Sequence, residues 1–215
     1  MFLLIDTSTK NAGIALYSNS ELTHKQLWSS QYNHSQELFV ALEKIFEQSN
    51  TSVSDVTGIG LALGPGGYSS VRSGVSVGKT IAYAQKIPIY GHNTLDIEAG
   101  AYRQEGMKTC SVIEAGKSVL SYAVYNETGI RINPDHVSDI NTLLGLVDDN
   151  TLICGEGVMV YEQDIKNLNK KMIKWDSQAL RLETLGRETS YRHLNNESDA
   201  LESIEPIYAR PPSIG

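Results

Sequence analysis

The sequence predicts an α/β protein built as two similar lobes, and three observations carry that expectation. Three strand-like runs near the start give way to alternating helix and strand. The same order of elements recurs after a polar break at Arg103-Gln104-Glu105-Gly106, without any residue-level repeat. Between an apolar run and a helix lies the turn Gly64-Pro65-Gly66-Gly67, whose glycines allow positive φ and close approach. The 215 residues can bury a good core as one large domain or two small ones.

Taken in order, Phe2 to Thr7 is an apolar strand ending in Asp6-Thr7-Ser8-Thr9. Asn11 to Tyr17 and Leu22 to Trp28 are strands joined by the turn Ser18-Asn19-Ser20-Glu21. After polar residues from Ser29, His34 opens a helix with Leu38, Leu42, Ile45 and Phe46 at helical spacing. Val56 to Leu63 reads as a strand leading into the glycine turn and a long helix over Val71 to Gln85, which Ser69 or Ser70 would cap. A short strand at Ile87 to Gly91 and a helix over Thr94 to Tyr102 complete the first lobe, residues 1–104. The second, 105–215, is expected to hold strands at Thr109 to Glu114, Ser118 to Tyr125, Gly129 to Pro134 and Thr151 to Cys154. Its helices are expected at Asp139 to Val147 and Gln178 to Leu194. This duplicated order fits two ribonuclease-H-like halves of the actin, sugar-kinase and heat-shock-ATPase (ASKHA) fold.

Composition is that of a soluble globular protein, 40% hydrophobic and 20% charged. A formal charge of −7 argues against a free-standing nucleic-acid binder, which needs a basic face. Met1 to Ile5 is cut short by Asp6 with no basic segment before it, so it reads as a first strand rather than a signal peptide. No run approaches membrane-spanning length. Cys110 and Cys154 in apolar strands read as reduced core thiols, and the expected compartment is the cytoplasm.

Chemistry-bearing residues are few. Asp6 and the hydroxyls of Thr7 and Ser8 either hold a metal or phosphate, or terminate the strand by hydrogen bonding within their own turn. The glycine turn either receives an anion at a helix start, with Arg72 nearby, or packs helix against sheet. Gly78-Lys79-Thr80 is no P-loop, because Ser73 stands where the first glycine is required. His34 lacks a second histidine one turn on, the position being Leu38, and no metal site is expected. No nucleophile elbow or activated cysteine is present, and Glu114 at a strand end is either catalytic or simply exposed. No catalytic residues emerge.

Leu4-Ile5-Asp6-Thr7-Ser8, His34-Ser35-Gln36, Gly64-Pro65-Gly66, Arg72 with Gly74, and Glu205-Pro206-Ile207-Tyr208-Ala209-Arg210 occur in the order seen in one family. The chain resembles the bacterial TsaB (YeaZ) proteins, non-catalytic subunits of the machinery that makes threonylcarbamoyladenosine at position 37 of tRNA. The resemblance implies a catalytic paralogue, TsaD, as partner, with the ATPase subunit TsaE and, through the complex, tRNA. It implies no cofactor held by this chain alone, ATP or ADP belonging to the complex, and a homodimer when the chain is alone. In the family the first-lobe helices bundle with those of the partner. That points here to Phe39, Leu42 and Phe46 on the first helix and Ser73, Val75, Gly78 and Ala82 on the second. The nucleotide or anion candidates are Asp6, Thr7, Ser8, Gly64, Gly66, Gly67 and Arg72.

Two departures from the family are visible. Its turn reads Gly-Pro-Gly-Ser-Phe-Thr-Gly-x-Arg, whereas Gly67-Tyr68-Ser69-Ser70-Val71-Arg72 follows Gly66 here. Its second-lobe Ile-Asp-Ala-Arg appears as Ile113-Glu114-Ala115-Gly116, without the arginine. The competing readings are a glycoprotease-like metallopeptidase, disfavoured by the missing ligands, and a sugar-kinase-like ATPase, for which Gly155-Glu156-Gly157 is the only second-lobe phosphate-turn candidate.

Overall fold

The structure is a computed structural model that describes residues 1–30, 33–116 and 118–209. Arg210, the last residue of the C-terminal motif, lies outside the described residues. In chain order the elements are β1 (Phe2–Asp6), β2 (Asn11–Ser18), β3 (Glu21–Ser29), α1 (His34–Ser49), β4 (Gly58–Ala62), α2 (Tyr68–Gln85), β5 (Ile89–His92) and α3 (Thr94–Tyr102). Then come β6 (Lys108–Glu114), β7 (Leu120–Tyr125), β8 (His136–Ser138), α4 (Ile140–Leu146), β9 (Thr151–Cys154), α5 (Val158–Asn167) and α6 (Gln178–Leu194).

The first sheet has the order β3-β2-β1-β4-β5 and the second β8-β7-β6-β9. In each, the leading strand pairs antiparallel with the next in sequence and parallel with the strand that returns after a helix. The two lobes thus repeat one topology, the second without a fifth strand. β1 is apolar from Phe2 to Ile5 because both its faces are covered. Leu3 and Ile5 meet α1 and α2 through Leu38, Ile45 and Val71, while Phe2 and Leu4 meet α6 through Leu182 and Leu185. In the second sheet Val112 and Tyr122 pack with α4 and α5, and Ile113 and Ala123 face Leu95 and Ala99 of α3.

Two helices therefore cross between the sheets. α3 follows the first sheet in sequence but covers the second, and α6 follows the second but covers the first. The chain then returns to the first sheet, where Ile207 N donates to Leu63 O (2.6 Å) and Lys79 Nζ donates to Ile204 O (2.8 Å). This crossing brings side chains from four elements to the tip of β1.

Three local expectations are corrected. Gly129 to Pro134 forms no strand, only an isolated bridge between Tyr125 and Arg131. Ile132 N donates to Val124 O and Asn126 N to Ile130 O (both 2.9 Å), but Val124 N turns to the Asn133 side chain (2.6 Å) and Ile130 N to the Asn126 side chain (2.8 Å), so side chains interrupt the ladder. The third strand is β8 instead. α2 starts at Tyr68, with Gly67 as an N-cap that offers no side chain, and Ser70 Oγ bonds back to Gly67 O (2.9 Å) inside the first turn. α5 was not anticipated, since its start, Val158-Met159-Val160-Tyr161, has the composition of a strand. Cys110 and Cys154 are free and buried, and burial pushes the Cys110 thiol up to about 12. Among the described residues no helix is long and apolar enough to cross a membrane.

Candidate functional site

Asp6 ends β1 inside the protein, and it is not alone there. Its Oδ1 accepts from Ser8 N (3.0 Å) and Ser8 Oγ (2.5 Å), closing the turn on itself. Its Oδ2 lies 2.7 Å from Nε of Arg181, a guanidinium of α6 with no solvent exposure. The same guanidinium meets Glu98 of α3 (3.1 Å) and Glu156 of the β9–α5 turn (2.9 Å) through Nη1. Nη2 donates to Asn11 O (2.5 Å) and Thr9 Oγ1 (3.2 Å). Glu156 in turn accepts from Asn11 Nδ2 (2.8 Å) and Thr9 Oγ1 (2.5 Å), so the second lobe grips the β1–β2 loop of the first.

One buried cation among three carboxylates has clear electrostatic consequences. Burial pushes the Glu98 carboxyl up to about 7, against the pull of Arg181. For Arg181 burial works against the charge, yet Asp6, Glu98 and Glu156 raise its pKa. The guanidinium fork suits this position because its nitrogens address several acceptors in one plane. A nucleotide phosphate at Asp6 would meet three carboxylates gathered around a single buried arginine that is already paired with all of them. The residues present do not fit that group.

The glycine turn is stitched to this loop. Gly67 N donates to Ser8 O (2.9 Å), Gly64 N donates to Thr94 Oγ1 (3.1 Å), and Thr7 Oγ1 donates to Ser70 O (2.7 Å). Two turn amides that an anion would use are therefore already donated. The residue with positive φ is Gly64 (101°) and not Gly66. What requires glycine at 66 is closeness: a Cβ there would stand 2.1 Å from Ser8 O. Arg72 is exposed, its Nη1 donating to Tyr68 Oη (2.6 Å) while the guanidinium lies over the Tyr68 ring. The missing second-lobe arginine coincides with Gly116 at φ 111°, a left-handed position in the β6–β7 turn. Glu114 is exposed at the end of β6.

The helix face divides the interface candidates. Phe39 is 61% exposed and, with Leu42, Ser73, Ser76, Val77 and Ile81, lines a groove of about 470 Å³ between α1 and α2. Ser35 and Ser73 hydroxyls, 2.8 Å apart, tie the helices together above it. Phe46 is half-buried against the core. Val75, Gly78 and Ala82 do not face outward. Val75 and Ala82 belong to the core beneath α2, and a Cβ on Gly78 would stand 2.5 Å from Leu61 Cδ2. Their small size brings α2 down onto its own sheet. Leu38, at the position one turn after His34, is fully buried in the same core.

Glu98, Glu156 and Arg181 were missed as a set in the sequence. The signal was there in part: Arg181 interrupts the apolar arc of Ala179, Leu182 and Leu185, and Glu98 interrupts that of Leu95, Ile97 and Ala99. A charge inside an apolar arc implies a buried partner.

Comparison with known proteins is consistent with this geometry. The family profile described as "TsaD: tRNA N6-adenosine threonylcarbamoyltransferase" matches residues 28–166. The tRNA threonylcarbamoyladenosine biosynthesis protein TsaB of Escherichia coli (strain K12) is 29% identical over 133 residues, 60% of this chain and 57% of that protein. Its namesake in Haemophilus influenzae is 25% identical over 224 residues, covering 97% and 92% of the two chains. The structure of YeaZ from Pseudomonas aeruginosa superposes with a TM-score of 0.77 at 21% identity, over 96% of this chain and 98% of that one. An inorganic polyphosphate/ATP-glucomannokinase from Arthrobacter shares the fold more loosely, with a TM-score of 0.52 at 8% identity over 89% and 98%. The architecture is that of the ASKHA fold, and the chain belongs to the TsaD family, within it to the TsaB (YeaZ) group.

Proposed function

We propose that this chain is a non-catalytic docking subunit in the formation of threonylcarbamoyladenosine in tRNA, and that it holds the catalytic transferase of its own family. The observation that carries the reading is the exposed apolar groove between α1 and α2, with Phe39 standing at its rim. The relatives' names supply the pathway. The transferase profile spans residues 28–166, which include both groove helices, so a transferase of this family has a matching helix pair to offer. Two like helix pairs facing each other across a pseudo-twofold axis would bury the groove on both sides. When the paralogue is absent, a second copy of this chain takes its place.

The Arg181 cluster supports a non-catalytic role, because the carboxylate at the tip of β1 is engaged in holding the lobes together. A net charge of −7 is unsuited to an extended nucleic-acid backbone, so tRNA contact falls to the partner. On this reading ATP or ADP, and the ATPase subunit, act on the assembled complex.

Reconstitution tests the proposal. The chain alone, given unmodified tRNA and threonylcarbamoyl-adenylate, should yield no modified adenosine, and its addition to the transferase should raise the yield. Product from the chain alone, or a transferase rate unchanged by its presence, overturns the proposal.

A further inference from the structure

Where α3 crosses α6, on a side of the molecule that shares no lining residue with the Arg181 cluster, lies a second cavity of about 520 Å³. Three of the chain's seven arginines, Arg103, Arg131 and Arg187, line it. That concentration is unexpected in a chain of formal charge −7. Arg131 is a fixed wall, paired with Asp96 (3.1 Å) and with Asp135, while Tyr125 Oη donates to Asp96 (2.6 Å). Burial, with Asp96 beside it, raises the Tyr125 pKa, so that hydroxyl keeps its proton.

The other two arginines are differently placed. Arg103 has no carboxylate within ion-pair distance among the described residues. Its guanidinium lies over Gly129, where an added Cβ would meet it at 2.4 Å. Arg187 reaches only its neighbour Glu188, at 3.4 Å and largely in solvent, and the Gly100 carbonyl at 3.5 Å. An exposed pair of that length contributes little. A separate observation points into the same cavity. Thr109 lines it, is 1% exposed, and its Oγ1 has no hydrogen-bond partner among the described residues. A buried hydroxyl without a partner is costly unless something fills the vacancy.

We propose that this cavity binds a small phosphate monoester, held by the Arg103 and Arg187 guanidiniums with the Thr109 hydroxyl at its floor. Two guanidinium forks, one without a carboxylate partner among the described residues and one with only a long, exposed contact to Glu188, offer with the hydroxyl more donors than a single carboxylate accepts, and they match the several oxygens of a phosphate. The recessed Thr109 favours a small molecule over an RNA backbone, for which the acidic surface is unsuited.

Calorimetry and thermal melting of the full chain, at fixed ionic strength, test the assignment with inorganic phosphate and AMP as probes. The parent should show saturable binding and a rise in melting temperature. The double variant Arg103→Ala/Arg187→Ala, altered only at exposed positions, should bind roughly tenfold or more weakly, the loss expected for charge-assisted hydrogen bonds. Thr109→Val should melt at or above the parent without probe, having lost only an unpartnered hydroxyl, and should bind more weakly. The assignment is overturned by absence of saturable binding in the parent, by equal binding in the double variant, or by an RNA oligonucleotide binding through these arginines when both small probes fail.

Discussion

Replacing Arg181 by methionine removes the one cation from a buried cluster and leaves a side chain of similar length. Asp6 and Glu98 have no exposed side-chain surface to speak of, and Glu156 has little, so water cannot take over from the guanidinium. Removing one partner of a buried ion pair costs about 3–5 kcal/mol, because the remaining charge is stranded. In a chain of this size each kcal/mol moves the melting temperature by about 2–4 °C, so Arg181→Met should melt roughly 6–20 °C lower. Arg181→Lys should recover little, since one ammonium cannot address Asp6 through one nitrogen, Glu98 and Glu156 through another, and Asn11 O through a third. The double variant with Asp6→Asn should be less destabilised than the sum of the singles, the sign of a direct interaction. Scanning calorimetry and urea unfolding at neutral pH measure the parent and the four variants, the Asp6→Asn single included. A melting temperature for Arg181→Met within about 2 °C of the parent, less than 1 kcal/mol, would refute the claim that this ion cluster holds the lobes together.

The other expectations follow from the same geometry. Burial raises the folded-state pKa of Glu98 to about 7, above its unfolded value, so the folded state holds the extra proton and stability from this group falls as pH rises between about 4.5 and 7. His92, lowered to about 4 by burial and by Arg192, acts in the opposite direction between about 4 and 6.5, so the test is the difference between parent and Glu98→Gln. That difference should move against the parent by up to about 3 kcal/mol across the window, and a flat difference contradicts the reasoning. Gly66→Val should destabilise strongly, because its Cβ would meet the Ser8 carbonyl oxygen at 2.1 Å, whereas Arg72→Ala should leave the melting temperature nearly unchanged. Equal melting of Gly66→Val and parent would return the turn to the list of binding sites. Val75→Glu should unfold the first lobe by burying a charge, and a well-folded Val75→Glu would mean α2 is packed differently.

Strand and helix order in the first lobe could be read from the sequence because each element is local and periodic. Thr94 to Tyr102 and Gln178 to Leu194 are helices over the residues their patterns mark. Gly129 to Pro134 misled because the side chains of Asn126 and Asn133 take two of the amides a continuous ladder would pair, which no hydrophobic period reveals. The crossing of α3 and α6 was hidden for another reason: the apolar residues of a helix do not say which sheet they cover, and α3 is buried on most sides, with Ile97 toward the first sheet and Leu95 and Ala99 toward the second. With that crossing hidden, so was the meeting of Asp6 with Glu98, Glu156 and Arg181, residues that lie far apart in the chain. Small residues on α2 carried two meanings, close packing inward or outward, and Val75, Gly78 and Ala82 take the inward one.

Phe39 is the residue on which the docking role rests most directly. Its ring is largely exposed at the rim of the α1–α2 groove, so a glutamate there needs no burial in the free chain. The decisive measurement is a calorimetric titration of Phe39→Glu and parent with the transferase paralogue, alongside the melting temperature of each. Phe39→Glu should melt with the parent and bind at least about tenfold more weakly, the loss of an aromatic anchor at an interface. Binding within twofold of the parent by a folded Phe39→Glu would contradict the docking role.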